Sequence, residues 1–171
     1  STFHNCYDFN KQLSWDTSKG ESMSETFYMA ENFNRPLAWD TSKVEVMRGM
    51  FEHAERFNSP IGSWDTAKVA DLTATFRSAK SFNQPGISAW DVSKASLMTY
   101  MFAVSALASD ECSKQELYEA WKDVDAFVNF GYYYEPVRGT KEDWSASVCT
   151  EPRPPPPPPP SYSNCVVGAL N

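Results

Sequence analysis

One motif recurs four times between Phe9 and Ser105, and it constrains the fold more tightly than any other feature of the chain. Counted from its tryptophan it reads Trp15-Asp16-Thr17-Ser18-Lys19, Trp39-Asp40-Thr41-Ser42-Lys43, Trp64-Asp65-Thr66-Ala67-Lys68 and Trp90-Asp91-Val92-Ser93-Lys94. Each copy is preceded by Phe-Asn: Phe9-Asn10, Phe33-Asn34, Phe57-Asn58 and Phe82-Asn83. Each is followed by an apolar run that ends in Phe27, Phe51, Phe76 or Phe102. The tryptophans are spaced 24, 25 and 26 residues apart. A unit this short cannot bury its apolar side alone, so neighbouring units must stack to make one core. Trp15, Trp39, Trp64, Trp90 and the four terminal Phe residues are therefore the expected repeat core. Stacked units make an extended surface and seldom a catalytic pocket.

The second copy serves as a template. In Arg35-Pro36-Leu37-Ala38-Trp39, proline fixes its own φ and pushes Arg35 away from helix. Leu37 and Trp39 alternate around Ala38, as on a short strand with one face buried. Asp40-Thr41-Ser42 is a cluster of helix N-cap residues. Val44, Met47, Met50, Phe51 and Ala54 then fall at helical spacing. The expected unit is strand, turn, helix, turn, and the fold class is α/β: a short strand-helix repeat solenoid with a C-terminal helical cap and a polyproline II tail. The third and fourth copies carry extra residues before Trp (Ile61-Gly62-Ser63 and Gly86-Ile87-Ser88-Ala89), expected in a loop on one edge. Asn10, Asn34, Asn58 and Asn83 are expected to bond backbone groups of adjacent units. A calcium row along the repeated Asp residues is weighed against this, but one Asp per unit supplies too few oxygens.

Periodicity ends after Ser105. The sequence divides into an N-terminal segment 1–8, the repeats 9–105, a cap 106–149 and a tail 150–171. Ser113-Lys114-Gln115-Glu116 has the form of a capping box. Leu117, Trp121, Val124 and Phe127 follow at helical spacing, as in an atypical last helix closing the array. Tyr132, Tyr133 and Tyr134 read as a packed cap or an exposed sticky patch. Then come Pro154, Pro155, Pro156, Pro157, Pro158, Pro159 and Pro160. This run forms a polyproline II rod rising about 3.1 Å per residue, about 22 Å in all. Its simplest role is a stiff spacer. The last residues include Val166, Val167 and Leu170, an apolar segment suited to docking on its own repeats or on a neighbouring molecule's edge.

Composition removes several function classes. The net charge is −7 and no basic stretch exists, so nucleic acid has no electrostatic footprint here. No apolar run approaches the roughly 18 residues of a membrane span. The chain opens on Ser1, and a removed secretory signal is expected. Cys6, Cys112, Cys149 and Cys165 lie outside the repeats, with no spacing suited to zinc. They are expected to form disulfides in an oxidising compartment, rather than serve as buried thiols in the cytosol. Three pairings are open. The preferred one joins cysteines within the C-terminal part and engages Cys6 separately, and a bond between subunits is an alternative. No nucleophile elbow, partnered His or phosphate loop is present, so no enzyme, metal or cofactor is expected.

The pattern Phe-Asn-x-Pro-Leu-x-x-Trp-Asp-Thr-Ser-x-Val-x-x-Met-x-x-Met-Phe-x-x-Ala, from Phe33 to Ala54, closely resembles the BspA-like surface repeat, a leucine-rich-repeat relative also called DUF285 or the mycoplasma lipoprotein repeat. The likeness covers residues 9 to about 105. The first copy departs from it, with Gln12 for Pro and Gly20 for Val, as in a frayed terminal unit. The resemblance implies a cell-surface or secreted protein with an adhesive or structural role and no catalysis. The tail resembles the hydroxyproline-rich, extensin-type glycoproteins of plant and algal walls and flagella. That likeness implies hydroxylated, O-glycosylated Pro154 to Pro160, with Ser161 and Ser163 as further acceptors. The rod projects every ring outward, which suits such modification. No N-linked sequon competes, because Asn58-Ser59 is followed by Pro60. Together the two likenesses suggest a subunit of an extracellular, mastigoneme-like fibre or a cell-surface coat. It would self-associate through its ends and through Tyr132–Tyr134 or the C-terminal apolar segment, since heterologous contacts that do not close give fibres. The alternative is a monomeric adhesion or ligand-binding module.

Overall fold

The computed structural model describes residues 3–128, 144 and 149. The four copies do stack, but their units are neither strands nor helices. Among the described residues the helices are α1, Glu111–Trp121, and α2, Asp125–Val128. Both lie after the repeats. Pairing of strand type is confined to single parallel bridges, Ser22 to Val46, Val46 to Asp71 and Asp71 to Leu97. The strand-helix, leucine-rich-repeat-like solenoid expected from the sequence is thus overturned.

The backbone donors give the reason. A helix over 44–54 would send each N–H four residues back. Here the N–H groups of Met47, Gly49, Phe51 and His53 donate instead to the carbonyls of Asp71, Thr73, Thr75 and Arg77 in the next coil, at 2.8–2.9 Å. Between them, the N–H groups of Met50, Glu52 and Ala54 close tight turns onto Met47, Gly49 and Phe51 at 3.0–3.1 Å. The run is a chain of overlapping four-residue β-turns. Gly49 (φ 57°) and His53 (φ 58°) lie in the left-handed region, which no right-handed helix tolerates in succession. Such turns and a helix bury nearly the same residues. Val44, Met47, Met50, Phe51 and Ala54 are all fully buried. The spacing reports a burial period, and it does not report which carbonyl each N–H finds.

The same ladder joins every coil to the next. Met23, Glu25, Phe27 and Met29 donate to Val46, Arg48, Met50 and Glu52, and Leu72, Ala74, Phe76 and Ser78 donate to Leu97, Thr99, Met101 and Ala103. Phe3 and Asn5 donate to Thr26 and Tyr28, so residues 3–8 form half a coil in front of the first copy. Leu37 and Trp39 are buried with Ala38 exposed, as their alternation predicts, yet they pair with no strand. In the lengthened copies Ile61 and Ile87 take the place of Leu37 and are buried. The second insertion winds into a 3-10 turn, Pro85–Ala89.

The interior is a spine of rings. Phe27, Phe51, Phe76 and Phe102 stack between coils at centroid distances of 5.4, 5.7 and 5.8 Å. Phe33, Phe57 and Phe82 lie beside them at 3.8–4.1 Å within each coil. The tryptophans form a second column, at 5.9, 6.4 and 6.3 Å from Trp15 through Trp39 and Trp64 to Trp90. Each offset ring pair adds about 0.5–1.5 kcal/mol beyond the burial of its area.

Candidate assembly surface

Three polar columns run along the stack and define how it can be extended. The first is asparagine. The side-chain oxygens of Asn10, Asn34 and Asn58 accept the backbone N–H of Asn34, Asn58 and Asn83 in turn, at 2.9–3.0 Å. The second is threonine. The hydroxyls of Thr17, Thr41 and Thr66 donate to the carbonyls of Asp40, Asp65 and Asp91 in the next coil, at 2.9–3.1 Å. Among the described residues the fourth copy has no coil beyond it, and there the residue is the buried Val92.

The third column is aspartate. These residues cap no helix, contrary to the sequence reading. The carboxylates of Asp16, Asp40, Asp65 and Asp91 accept the N–H two residues on, at 2.9–3.1 Å, which is an Asx turn. Ser18 and Ser42 add their hydroxyls at 2.6 and 2.7 Å. Hydrogen bonds from the serine side chain, then from its backbone, hold the carboxyls of Asp16, Asp40 and Asp91 below the ordinary range. Ion pairs also join neighbouring coils: Arg48 with Asp71 at 2.7 Å and Lys80 with Glu55 at 2.6 Å. The sequence reading missed these pairs, because their partners lie a full coil apart.

The C-terminal end is closed on its asparagine side. Asp110 caps α1 by accepting the N–H of Ser113 at 2.7 Å. The helix therefore starts ahead of the Ser113–Glu116 box expected from sequence. Asn83 donates to Asp110 at 2.9 Å and accepts from Ser113 at 2.5 Å, so the helix start takes over the asparagine column. Ser88 of the 3-10 turn donates to Glu116 at 2.8 Å. Trp121 and Trp144 meet Phe102 at 6.4 and 5.9 Å and continue the ring column. A disulfide joins Cys112 of α1 to Cys149, one of the bridges left open by the sequence. Closing a loop of 37 residues contributes about 4 kcal/mol on the chain-entropy estimate.

On the ladder side the same end is open. Met98, Tyr100, Phe102 and Val104 occupy the donor positions, and their N–H groups meet no acceptor among the described residues. At the other end Trp15 stacks on Phe3 at 5.2 Å but is 39% exposed. It is thus a half-open member of the core expected from sequence. Cys6, at the position of Ala30 and Ala54, is half-buried. Cys165, Tyr132, Tyr133, Tyr134, Pro154 to Pro160, Ser161, Ser163, Val166, Val167 and Leu170 lie outside the described residues. Among the described residues no group of three or more His, Cys, Asp or Glu could hold a metal ion. No helix there is long and apolar enough to cross a membrane.

This geometry defines a class: a repeat chain whose coils, about 25 residues each, are held by a backbone ladder and a spine of rings. A family model described as "Mycoplasma protein of unknown function, DUF285" matches residues 1–115, and the chain belongs to that family. No curated protein and no solved structure matches it.

Proposed function

We propose that this chain is a structural subunit of an extracellular filament or cell-surface coat. The observation that supports it best is the continuous ring spine, which commits most of the aromatic residues to a stiff, extended body. The disulfide agrees with an oxidising, extracellular setting. The surface-protein resemblance of the repeat and the extensin-like Pro154 to Pro160 tract point the same way. On this reading the prolines, Ser161 and Ser163 carry O-linked glycans. The molecules join end to end or through the tail, without catalysis or cofactor.

Light scattering and negative-stain microscopy of the purified chain across concentration test this. Rods or ordered oligomers that grow with concentration are expected. Monomers at every concentration and salt would favour the second reading, a monomeric adhesion module. The observation on that side is an exterior row of His4 stacked on Tyr28 at 4.5 Å and Arg77 over Tyr100 at 5.5 Å.

A further inference from the structure

We propose that the backbone of Met98, Tyr100, Phe102 and Val104 is a docking edge for the C-terminal segment, residues 165–171, of a second copy of this chain. The proposal rests on the assembly reading above and names its contact. In each of the three preceding coils the four equivalent N–H groups all pair with the next coil, at 2.7–2.9 Å. In the last coil the same four groups have no acceptor among the described residues. This is a row of unpaired donors of the kind that recruits another chain.

The outward side chains of this coil differ in kind from those before it. Leu97 stands where earlier coils have Ser22, Val46 and Asp71, and Val104 where they have Met29, His53 and Ser78. Leu97 and Val104 are 46% and 55% exposed. Tyr100 replaces Glu25, Gly49 and Ala74, and Ala106 replaces Glu31, Glu55 and Lys80. The coil that bears the open donors thus exposes two large apolar side chains on that face.

What docks there is not a fifth coil. The start of α1 already occupies the asparagine column, and Val92 has given up the threonine bond that a further coil would accept. The ladder side alone is open, and it calls for a single segment. Four donors on alternate residues need four carbonyls on alternate residues, a span of seven. Apolar side chains are needed beside Leu97 and Val104. Residues 165–171, Cys-Val-Val-Gly-Ala-Leu-Asn, have that length and character. The tail leaves from Cys149, pinned by its disulfide to α1 at this same end of the stack. The seven prolines between Cys149 and this segment make a stiff spacer of about 22 Å by their rise per residue. A stiff linker of that kind lowers the effective concentration for self-docking and favours a neighbour. Addition of a segment to an exposed ladder is a known mode of peptide recognition.

Amide exchange at the four residues, read by NMR beside light scattering on the full chain, tests this. In the assembled protein the four amides should exchange at least about 100-fold more slowly than unpaired amides. Val167→Asp with Leu170→Asp should abolish both the slowing and the assembly. Leu97→Asp with Val104→Asp, at exposed positions, should do the same. A synthetic peptide of residues 161–171 added to the tail variant should restore slow exchange without restoring assembly. Assembly with fast amides would overturn the docking edge while leaving the assembly reading intact. Monomers with fast amides would overturn both. Slow amides indifferent to the tail substitutions would mean that another segment covers the edge. Slow amides in a monomer, lost with the tail substitutions, would mean that each tail serves its own coil. Either of these last results overturns the proposal.

Discussion

Gly62 lies so close to the next coil that a Cβ there would sit 2.5 Å from the carbonyl oxygen of Gly86 and 2.8 Å from its carbon. Backbone cannot give way as a side chain can. Gly62→Ala should therefore cost about 1–3 kcal/mol, as overpacking does, while Gly86→Ala, whose Cβ meets nothing nearer than 3.9 Å, should be nearly neutral. Equal melting temperatures for the two variants would contradict the close approach. The left-handed positions behave differently. Glu25, Met29, His53, Ala74, Ser78, Tyr100 and Val104 hold φ between 53° and 61° without being glycine, at a cost on the order of 1–2 kcal/mol each. The first five are held there by ladder bonds from their own N–H groups, and Tyr100 and Val104 keep the same conformation at the open edge. No glycine signal marks these turns except at Gly49, which is why the sequence reads as helix. Charge provides a second test at this scale. Folding lowers the carboxyl pKa of Asp16, Asp40 and Asp91. The stability they contribute is present above the ordinary Asp range, near about 3.9, and is lost as pH falls through their lower folded values. Glu52 has the opposite sign: burial raises its pKa, so stability is lost as pH rises from the ordinary Glu range through its higher folded value. In an NMR titration Asp40 should have its midpoint below the ordinary value, and Ser42→Ala should move it up. An ordinary midpoint in the unaltered protein would remove the Asx hydrogen bonds from the account.

Between elements, the threonine column gives the sharpest substitution test. Thr41 is buried and its hydroxyl reaches Asp65 in the next coil at 2.9 Å. Val92 is equally buried and faces no further coil. Thr41→Val should cost about 1 kcal/mol, the usual net value of a hydrogen bond. Val92→Thr should also destabilise, by about 1–3 kcal/mol, because it buries a hydroxyl without the next-coil carbonyl that Thr17, Thr41 and Thr66 reach. Denaturant midpoints measure both, and a stabilising Val92→Thr would mean that the column has an acceptor beyond the fourth copy. The sequence carried part of this. The 24 to 26-residue spacing and the Trp and Phe positions made the stacking axis legible, because ring burial repeats with the coil. The asparagine column was legible too, since a polar residue fixed beside a buried Phe needs a backbone partner. The backbone state was not legible. Val44, Met47, Met50 and Phe51 satisfy a helix and a run of turns alike, and only the nonlocal pairing of Met47 with Asp71 separates them.

At the scale of the whole molecule, the two ends differ. One side of the last coil is closed by α1, Trp121 and Trp144, and on the other the donors find no acceptor among the described residues. Sequence pointed to a closing helix through Leu117 and Trp121, but its start fell at Asp110, and the partner of Cys112 could not be chosen among the cysteines. Those features depend on contacts far apart in the chain, to which local spacing is blind. The central claim is that the repeats are coils held by a ladder and a shared column of rings. The most direct measurement is the set of nuclear Overhauser contacts among the indoles and across the ladder. The account predicts contacts from Trp39 to Trp64 and from Trp64 to Trp90, whose centroids are 6.4 and 6.3 Å apart. It also predicts contacts from the amide of Phe51 to Thr75, bonded at 2.9 Å. An unbroken series of helical amide contacts through residues 44–54, with indoles that do not meet, would contradict it.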